Sequence, residues 1–288
     1  MFKNKRFAVH TIVRQNELGF SPIEYSKFKY GDSSIAYKFG NELFDSFLRS
    51  YLNSNFDKSR SCIVYSSPYS FLPTASLHMT RAFCDRFIKF TSESNFLTDK
   101  IKIGKIDRCQ SYFSDYGAMS AKERYELIKN DTYKFNELPD KNSLLLFIDD
   151  ISITGTHQLV IEKLMEEYSI ENESFFLYYA KLENDKIPPS FENELNYAHI
   201  KNVNDLIPLM ISDNFQNTTR TTKFILSLPV SNLNFFIEKM LALEKKEILE
   251  NIFTGAVQNN YHFEKTYSVS FELFKNKGII ASTKVLNI

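Results

Sequence analysis

Residues 144–157 read LLLFIDDISITGTH, and this stretch decides the fold. Five apolar residues in a row, Leu144 to Ile148, suit a short strand buried on both faces, the pattern of a parallel sheet. Two acids follow, Asp149 and Asp150, then a Thr-Gly-Thr turn, then a helical pattern from about Thr156 to Tyr168. A strand that runs into paired carboxylates beside a helix N-terminus offers two chemistries. Unsatisfied backbone N–H groups of the turn and first helical turn, with the positive end of the helix dipole behind them, suit a phosphate. Gly155 allows close backbone approach, and the hydroxyls of Thr154 and Thr156 add donors. The acids repel that phosphate but accept hydrogen bonds from sugar hydroxyls one ribose length away, so a sugar phosphate fits the layout.

The flanking sequence repeats the strand-then-helix pattern. CIVY (62–65) reads as a strand, SSPYS (66–70) as a turn, and 74–90 as a helix with Leu77, Arg81, Cys84 and Ile88 one turn apart. A strand is expected over 100–107, a short helix after the capping-box pair Ser120 and Glu123, and another strand at FFLYYA, 175–180. Ile35, Phe39, Leu43, Phe47 and Leu52 mark an amphipathic helix ahead of the first expected strand. The prediction is an α/β fold: a parallel sheet flanked by helices, with right-handed crossovers and a ligand site at the carboxyl ends of its strands. An N-terminal helical extension precedes it. Beyond Asn202 the pattern is wholly helical, which divides the chain into an α/β part over 1–200 and a helical C-terminal cap over 201–288.

Composition narrows the classes. Thirty-five Lys and Arg balance thirty-five Asp and Glu, so no global field draws nucleic acid or an anionic membrane, and any phosphate site is local. Cys62, Cys84 and Cys109 match neither a disulfide framework nor zinc spacing, and a reducing cytoplasm fits them. The N-terminus lacks a cleavage-site pattern, and no apolar run reaches membrane-spanning length. Twenty-seven Phe and sixteen Tyr with no Trp read as compositional bias. His78, His199 and His262 are scattered among apolar residues, where histidines are usually structural.

LLFIDDISITGT resembles the motif by which type I phosphoribosyltransferases bind 5-phosphoribosyl-1-pyrophosphate (PRPP). The resemblance implies that Asp149 and Asp150 contact the ribose hydroxyls. It implies that Ile153, Thr154, Gly155, Thr156 and His157 hold the 5-phosphate, and that Ser66, Ser67, Pro68, Tyr69 and Ser70 form the pyrophosphate loop. The stretch from Arg108 to Arg124 stands where the family carries a mobile loop, and Arg108 or Lys105 would then meet pyrophosphate. Mg2+ would bind through PRPP near Asp149 and Asp150. Ile153 and His157 depart from the family pattern, since many members place an acidic or hydroxyl residue at the first position and a small or hydroxyl residue at the second. FKYGD (28–32), SSPYSFLPTAS (66–76), SDYGAMSAKER (114–124) and TRTTKFIL (219–226) resemble the phosphoribosyltransferase-like proteins of bacterial tellurite-resistance and stress operons.

The expected activity is phosphoribosyl transfer from PRPP to an unidentified acceptor. Partners from the same operon and a homo-oligomer remain open. A Walker B strand also reads as apolar residues followed by acids, but the chain has no Gly-x-x-x-x-Gly-Lys segment. A purely structural strand end is the other alternative for FIDD. At the level of function the rivals are a non-catalytic PRPP or nucleotide sensor and an antiphage effector. Arg220 and Lys223, one turn apart, are candidates to line a pocket beneath a helical hood, against the ordinary reading of exposed helix charges.

Overall fold

The computed structural model describes residues 5–52, 60–93, 100–109 and 133–281. Its strands are β1 (Lys5–Ile12), β2 (Cys62–Ser66), β3 (Ile101–Gly104), β4 (Ile106–Arg108), β5 (Tyr133–Phe135), β6 (Leu144–Ser152) and β7 (Ser174–Leu182). Five of them form one sheet in the order β1-β7-β6-β2-β3, every neighbouring pair parallel. The expected parallel sheet is present, with β6 at its centre. Its side chains explain the apolar run: Leu144, Leu146 and Ile148 enter the core on one face, and Leu145 and Phe147 enter that on the other. Each such fully buried side chain contributes roughly 1.5–3 kcal/mol relative to exposure.

Two elements differ from expectation. The N-terminal segment holds the edge strand β1 ahead of its helices, in register with β7 from Lys5↔Phe175 to Ile12↔Leu182. Residues 100–107 form two strands, not one: β3 joins the sheet, whereas β4 pairs antiparallel with β5 in a separate ribbon. Lys105 lies between them and breaks the run. The segments SDYGAMSAKER and the helix expected after Ser120 fall outside the described residues.

On the face that takes Leu144 and Leu146 pack α1 (Pro22–Lys29), α2 (Ser33–Phe47) and α3 (Ala75–Glu93), through Tyr25, Phe39, Phe44, Phe83 and Phe87. The amphipathic helix foreseen at 33–52 is α2, ending at Phe47 in a π-helical turn, Leu48–Leu52. On the other face α4 (Thr156–Glu167) packs Ile161, Leu164 and Met165 against the sheet and the ribbon.

The helices beyond the sheet are α5 (Phe191–Asn196), α6 (Val203–Met210), α7 (Thr219–Leu226), α8 (Val230–Ala242), α9 (Lys246–Gln258) and α10 (Ser268–Asn276). α6 to α10 share a third core around Leu206, Phe236, Ile252 and Phe274, into which Tyr30 and Leu72 from the sheet portion also insert.

Two glycines allow close docking. Gly31 has φ +102°, and a Cβ there would lie 2.0 Å from the Gln216 carbonyl oxygen, so the corner between α1 and α2 meets the C-terminal part backbone to backbone. In α2, a Cβ on Gly40 would lie 2.4 Å from the Met79 carbonyl oxygen of α3. Gly40→Val is therefore expected to force the two helices apart and to cost about 1–3 kcal/mol in urea unfolding. An unchanged midpoint would mean that this contact does not limit packing.

Candidate functional site

The strand order creates a crevice. After β2 the chain crosses to β3 on one side, and after β6 it crosses to β7 on the other, so the topological switch point lies between β2 and β6. β2 ends at Ser66, level with Ile148, while β6 runs on beside β7 to Ser152↔Lys181. Beyond Ile148, the edge of β6 that β2 has left faces a cavity of about 600 Å³. Asp149, Asp150, residues 151–158, Ser67, Pro68 and Arg108 all line it.

The two acids do not extend beyond the strand as a pair. They belong to β6, so their side chains leave opposite faces of the sheet. Asp149 meets the α4 side: its Oδ1 accepts from Ser67 Oγ at 2.7 Å and from the Asp150 backbone N–H at 2.9 Å, and its Oδ2 lies 2.9 Å from His157 Nδ1. Burial pushes this carboxyl up, but the His157 ring and the Ser67 hydroxyl hold it well below the usual carboxylate range.

Asp150 meets the α1 side, where its Oδ2 accepts from the Tyr25 hydroxyl at 2.6 Å and pairs with Lys29 Nζ. Burial raises its carboxyl to about 6 against the opposing pull of Lys29, and Asp149 and Glu192 push the same way as burial. Lys29 and Tyr25 escaped the sequence reading because nothing local in FKYGD ties α1 to a strand more than a hundred residues away. Only the i, i+4 spacing of Tyr25 and Lys29 on α1 could have hinted at it.

The Thr-Gly-Thr turn opens α4 as expected. Gly155 adopts φ +70° as the N-cap of α4 and supplies no side-chain cap to the first-turn N–H groups. A Cβ on Gly155 would meet nothing within 4 Å, so the turn opens into space. The Thr154 and Thr156 hydroxyls lie 2.7 Å apart. Ile153 lines the cavity and also packs on the apolar core, leaving its backbone as its polar contribution. His157 has one ring nitrogen committed to Asp149, so any phosphate contact falls to Nε2.

The remaining predicted residues divide. Ser67 and Pro68 reach the cavity, and Ser67 Oγ bonds Ser76 as well as Asp149. Ser66 is buried, with its hydroxyl on the Ser67 carbonyl. Tyr69 and Ser70 do not line the cavity; Tyr69 bridges to Asp107 through backbone bonds with Ile106 and Arg108. Arg108 is the last residue of β4, a strand position and not part of a loop, and its guanidinium sits over the Tyr133 ring at 5.9 Å. Lys105 does not line the cavity; it pairs with Asp107 at 2.8 Å and donates to the Ser70 carbonyl at 2.9 Å.

His78 is half-buried, and desolvation together with Arg81 lowers its ring to about 4, in keeping with a structural histidine. Among the described residues no cluster of three or more His, Cys, Asp or Glu could hold a metal ion, and no helix is long and apolar enough to cross a membrane.

α7 lines the cavity with Arg220, Lys223 and Phe224, its C-cap Ser227 does the same, and Lys201 joins them from just ahead of α6. The cavity thus gathers five cations, Lys29, Arg108, Lys201, Arg220 and Lys223, against the carboxylates of Asp149, Asp150 and Glu192. In a chain of zero net charge, this is a local basic site.

A family model described as PRTase ComF-like matches residues 3–274. Among solved structures, the chain is similar to a hypoxanthine phosphoribosyltransferase from Staphylococcus aureus, at 13% identity and a TM-score of 0.31, over 54% of this chain and 76% of that one. It is also similar to a hypoxanthine phosphoribosyltransferase from Trypanosoma cruzi complexed with the product IMP, at 13% identity and a TM-score of 0.30, over 52% and 75%. Overlaps this loose carry no functional weight. No curated protein matches the chain.

Proposed function

The chain belongs to the ComF-like phosphoribosyltransferase family, and from that membership we propose that it binds PRPP at the end of β6 and transfers the phosphoribosyl group to a small acceptor, releasing pyrophosphate. One observation carries the reading: the β6 carboxylates, the open turn at Gly155 and the excess of cations share a single cavity at the switch point. In the proposed arrangement Asp149 and Asp150 accept the ribose hydroxyls, and the backbone of 153–157 with the Thr154 and Thr156 hydroxyls holds the 5-phosphate. Ser67 and Arg108 face the pyrophosphate. The part beyond residue 200 acts as the cap.

Carbon 1 of the ribose gains positive character as pyrophosphate leaves. Fixed negative charge at Asp149 and Asp150 and fixed positive charge at Arg108 then act on opposite ends of the breaking bond. The donor set suits magnesium only as an ion delivered on the oxygens of PRPP, with Asp149 and Asp150 nearby, because the described residues form no three-carboxylate cage. Bound in that way, the ion would neutralise the departing pyrophosphate.

The test is thermal unfolding with millimolar PRPP and magnesium. A ligand bound only by the native state stabilises it by mass action, by about 2.7 kcal/mol at a hundredfold excess over Kd. A midpoint unmoved by PRPP would remove the proposal. Ile153 packs on the core and carries no titratable group at a position where many family members have an acid or hydroxyl, which favours one rival, a non-catalytic PRPP sensor. Release of pyrophosphate in the presence of acceptor separates the two, and saturable PRPP binding without release would identify the sensor.

A further inference from the structure

Lys29 brings a fixed positive charge to the ribose end of the site from outside the β6 motif, and the build of α1 keeps it there. It is the last residue of that helix, where the helix dipole favours a cation. Its Nζ pairs with Asp150 Oδ2 and lies 5.6 Å over the ring of Tyr25, one turn back. The Lys29 carbonyl accepts from the Thr218 hydroxyl at 3.1 Å, which bonds the end of α1 to the N-cap of α7. The Ser26 hydroxyl donates to the Asn196 carbonyl at 2.7 Å and ties the same helix to α5.

Both members of the pair are largely shielded from water, yet both line the cavity. An ammonium and a carboxylate withdrawn from water are costly apart, and each offsets the other's burial. Asp149 from the same strand and Glu192 from α5 add negative charge at Asp150, and Lys29 opposes them. A divalent ion on Oδ2 would have to displace the ammonium or stand against it at contact distance, where like charges repel strongly. A hydroxyl meets no such obstacle. A carboxylate offers about four lone-pair sites, and Tyr25 and Lys29 both bond Oδ2, so acceptor capacity remains.

Resting on the ribose position in the proposed function, we infer that Lys29 takes the place of a divalent cation at Asp150: it is the positioning residue that fixes this carboxylate for the ribose hydroxyls, and a 5-phosphoribosyl group is held there without metal. Magnesium then counts only at the pyrophosphate of PRPP, with which it arrives. The ligand class widens accordingly. A 5-phosphoribosyl compound that has no pyrophosphate, as the product of transfer has none, binds the metal-free chain.

The experiment uses the full chain and methyl ribofuranoside 5-phosphate, which has no pyrophosphate to carry magnesium and no free aldehyde to react with lysine. Its 2,3-dideoxy counterpart, lacking both hydroxyls, is the matched probe. Calorimetric titrations are run at pH 8, above the value of about 6 to which burial raises Asp150, once with a chelator and once with millimolar magnesium. Wild-type affinities for the riboside phosphate should agree within about threefold in the two buffers, with at least about a tenfold preference over the dideoxy probe. In chelator, Lys29→Met should lose most of that preference, and Lys29→Arg, which keeps the charge, should retain most of it.

An equal fall for both probes in Lys29→Met would mark a merely structural role and overturn the inference. So would a wild-type chain that shows no preference for the riboside, that binds it at least about tenfold better with magnesium, or that fails to bind it at about 10 mM. Should Lys29→Met not fold, the wild-type comparison and Lys29→Arg decide. The proposed function is read separately: riboside phosphate bound only with magnesium, alongside stabilisation by PRPP, would sink the inference alone. Metal-free binding of the riboside by a chain that PRPP does not stabilise would sink the proposed function and leave the role of Lys29 standing.

Discussion

Replacing both acids of β6, Asp149→Asn with Asp150→Asn, is expected to weaken PRPP binding by roughly ten- to a hundredfold, the equivalent of about 1.5–3 kcal/mol for a charge-assisted hydrogen bond. An amide has one acceptor oxygen where a carboxylate has two, and it carries no charge to offset the developing ribose cation. The two positions should separate in single variants. Asp149→Asn keeps an oxygen for Ser67 and removes the carboxylate that faces His157 Nδ1, so it perturbs ligand binding more than folding. Asp150→Asn also leaves Lys29 beside an amide, so its circular dichroism and unfolding midpoint need to be followed with its affinity. Titration calorimetry with PRPP and magnesium supplies the measurement. A folded double variant that binds PRPP as the wild type does would show that FIDDISITGTH is a structural strand end.

Lys29→Met is expected to have the largest effect on stability, about 3 kcal/mol at pH 8, because it strands a buried carboxylate. Lys29 and Asp150 are both largely shielded, with side chains 14% and 7% exposed. The loss should depend on pH in a definite direction. Burial already raises Asp150 to about 6 in the folded chain, above its unfolded value of about 3.9. Between those values the folded state holds more proton than the unfolded one, so the contribution of this group is greatest below about pH 4 and is lost as pH rises through the folded value. Removing Lys29 raises the folded value further, which extends the loss into the range above pH 6. Unfolding midpoints at pH 5 and pH 8 should therefore differ more in Lys29→Met than in wild type. An equal penalty at both pH values would mean that Lys29 stabilises through the packing of its stem and not through Asp150.

Much of this architecture follows from local sequence. The run LLLFI can only be satisfied by apolar contacts on two faces, and a helix pattern begins just after Gly155, so a parallel sheet with a helix N-terminus at the end of its central strand is legible at once. The C-terminal helices are likewise legible from their own periodicity. β1 is not, because a strand on the sheet's edge with mixed burial shows neither a long apolar run nor clean alternation, and only pairing with β7 defines it. β4 turned out of the sheet for a reason equally remote from its sequence, its partner β5 lying beyond residue 132.

The acids show the division most clearly. Their identity and their place beside the Gly155 turn come from the chain's own order, since adjacent residues stay adjacent whatever the fold. Their roles come from tertiary structure: β6 continues through them, the pleat sends Asp149 toward His157 and Ser67 and Asp150 toward Tyr25 and Lys29, and the helix carrying Lys29 is bonded in turn to the one carrying Arg220. Sequence spacing sets which groups are available, but electrostatic energy depends on separation and burial, and across a hundred residues those are settled only when the layers pack.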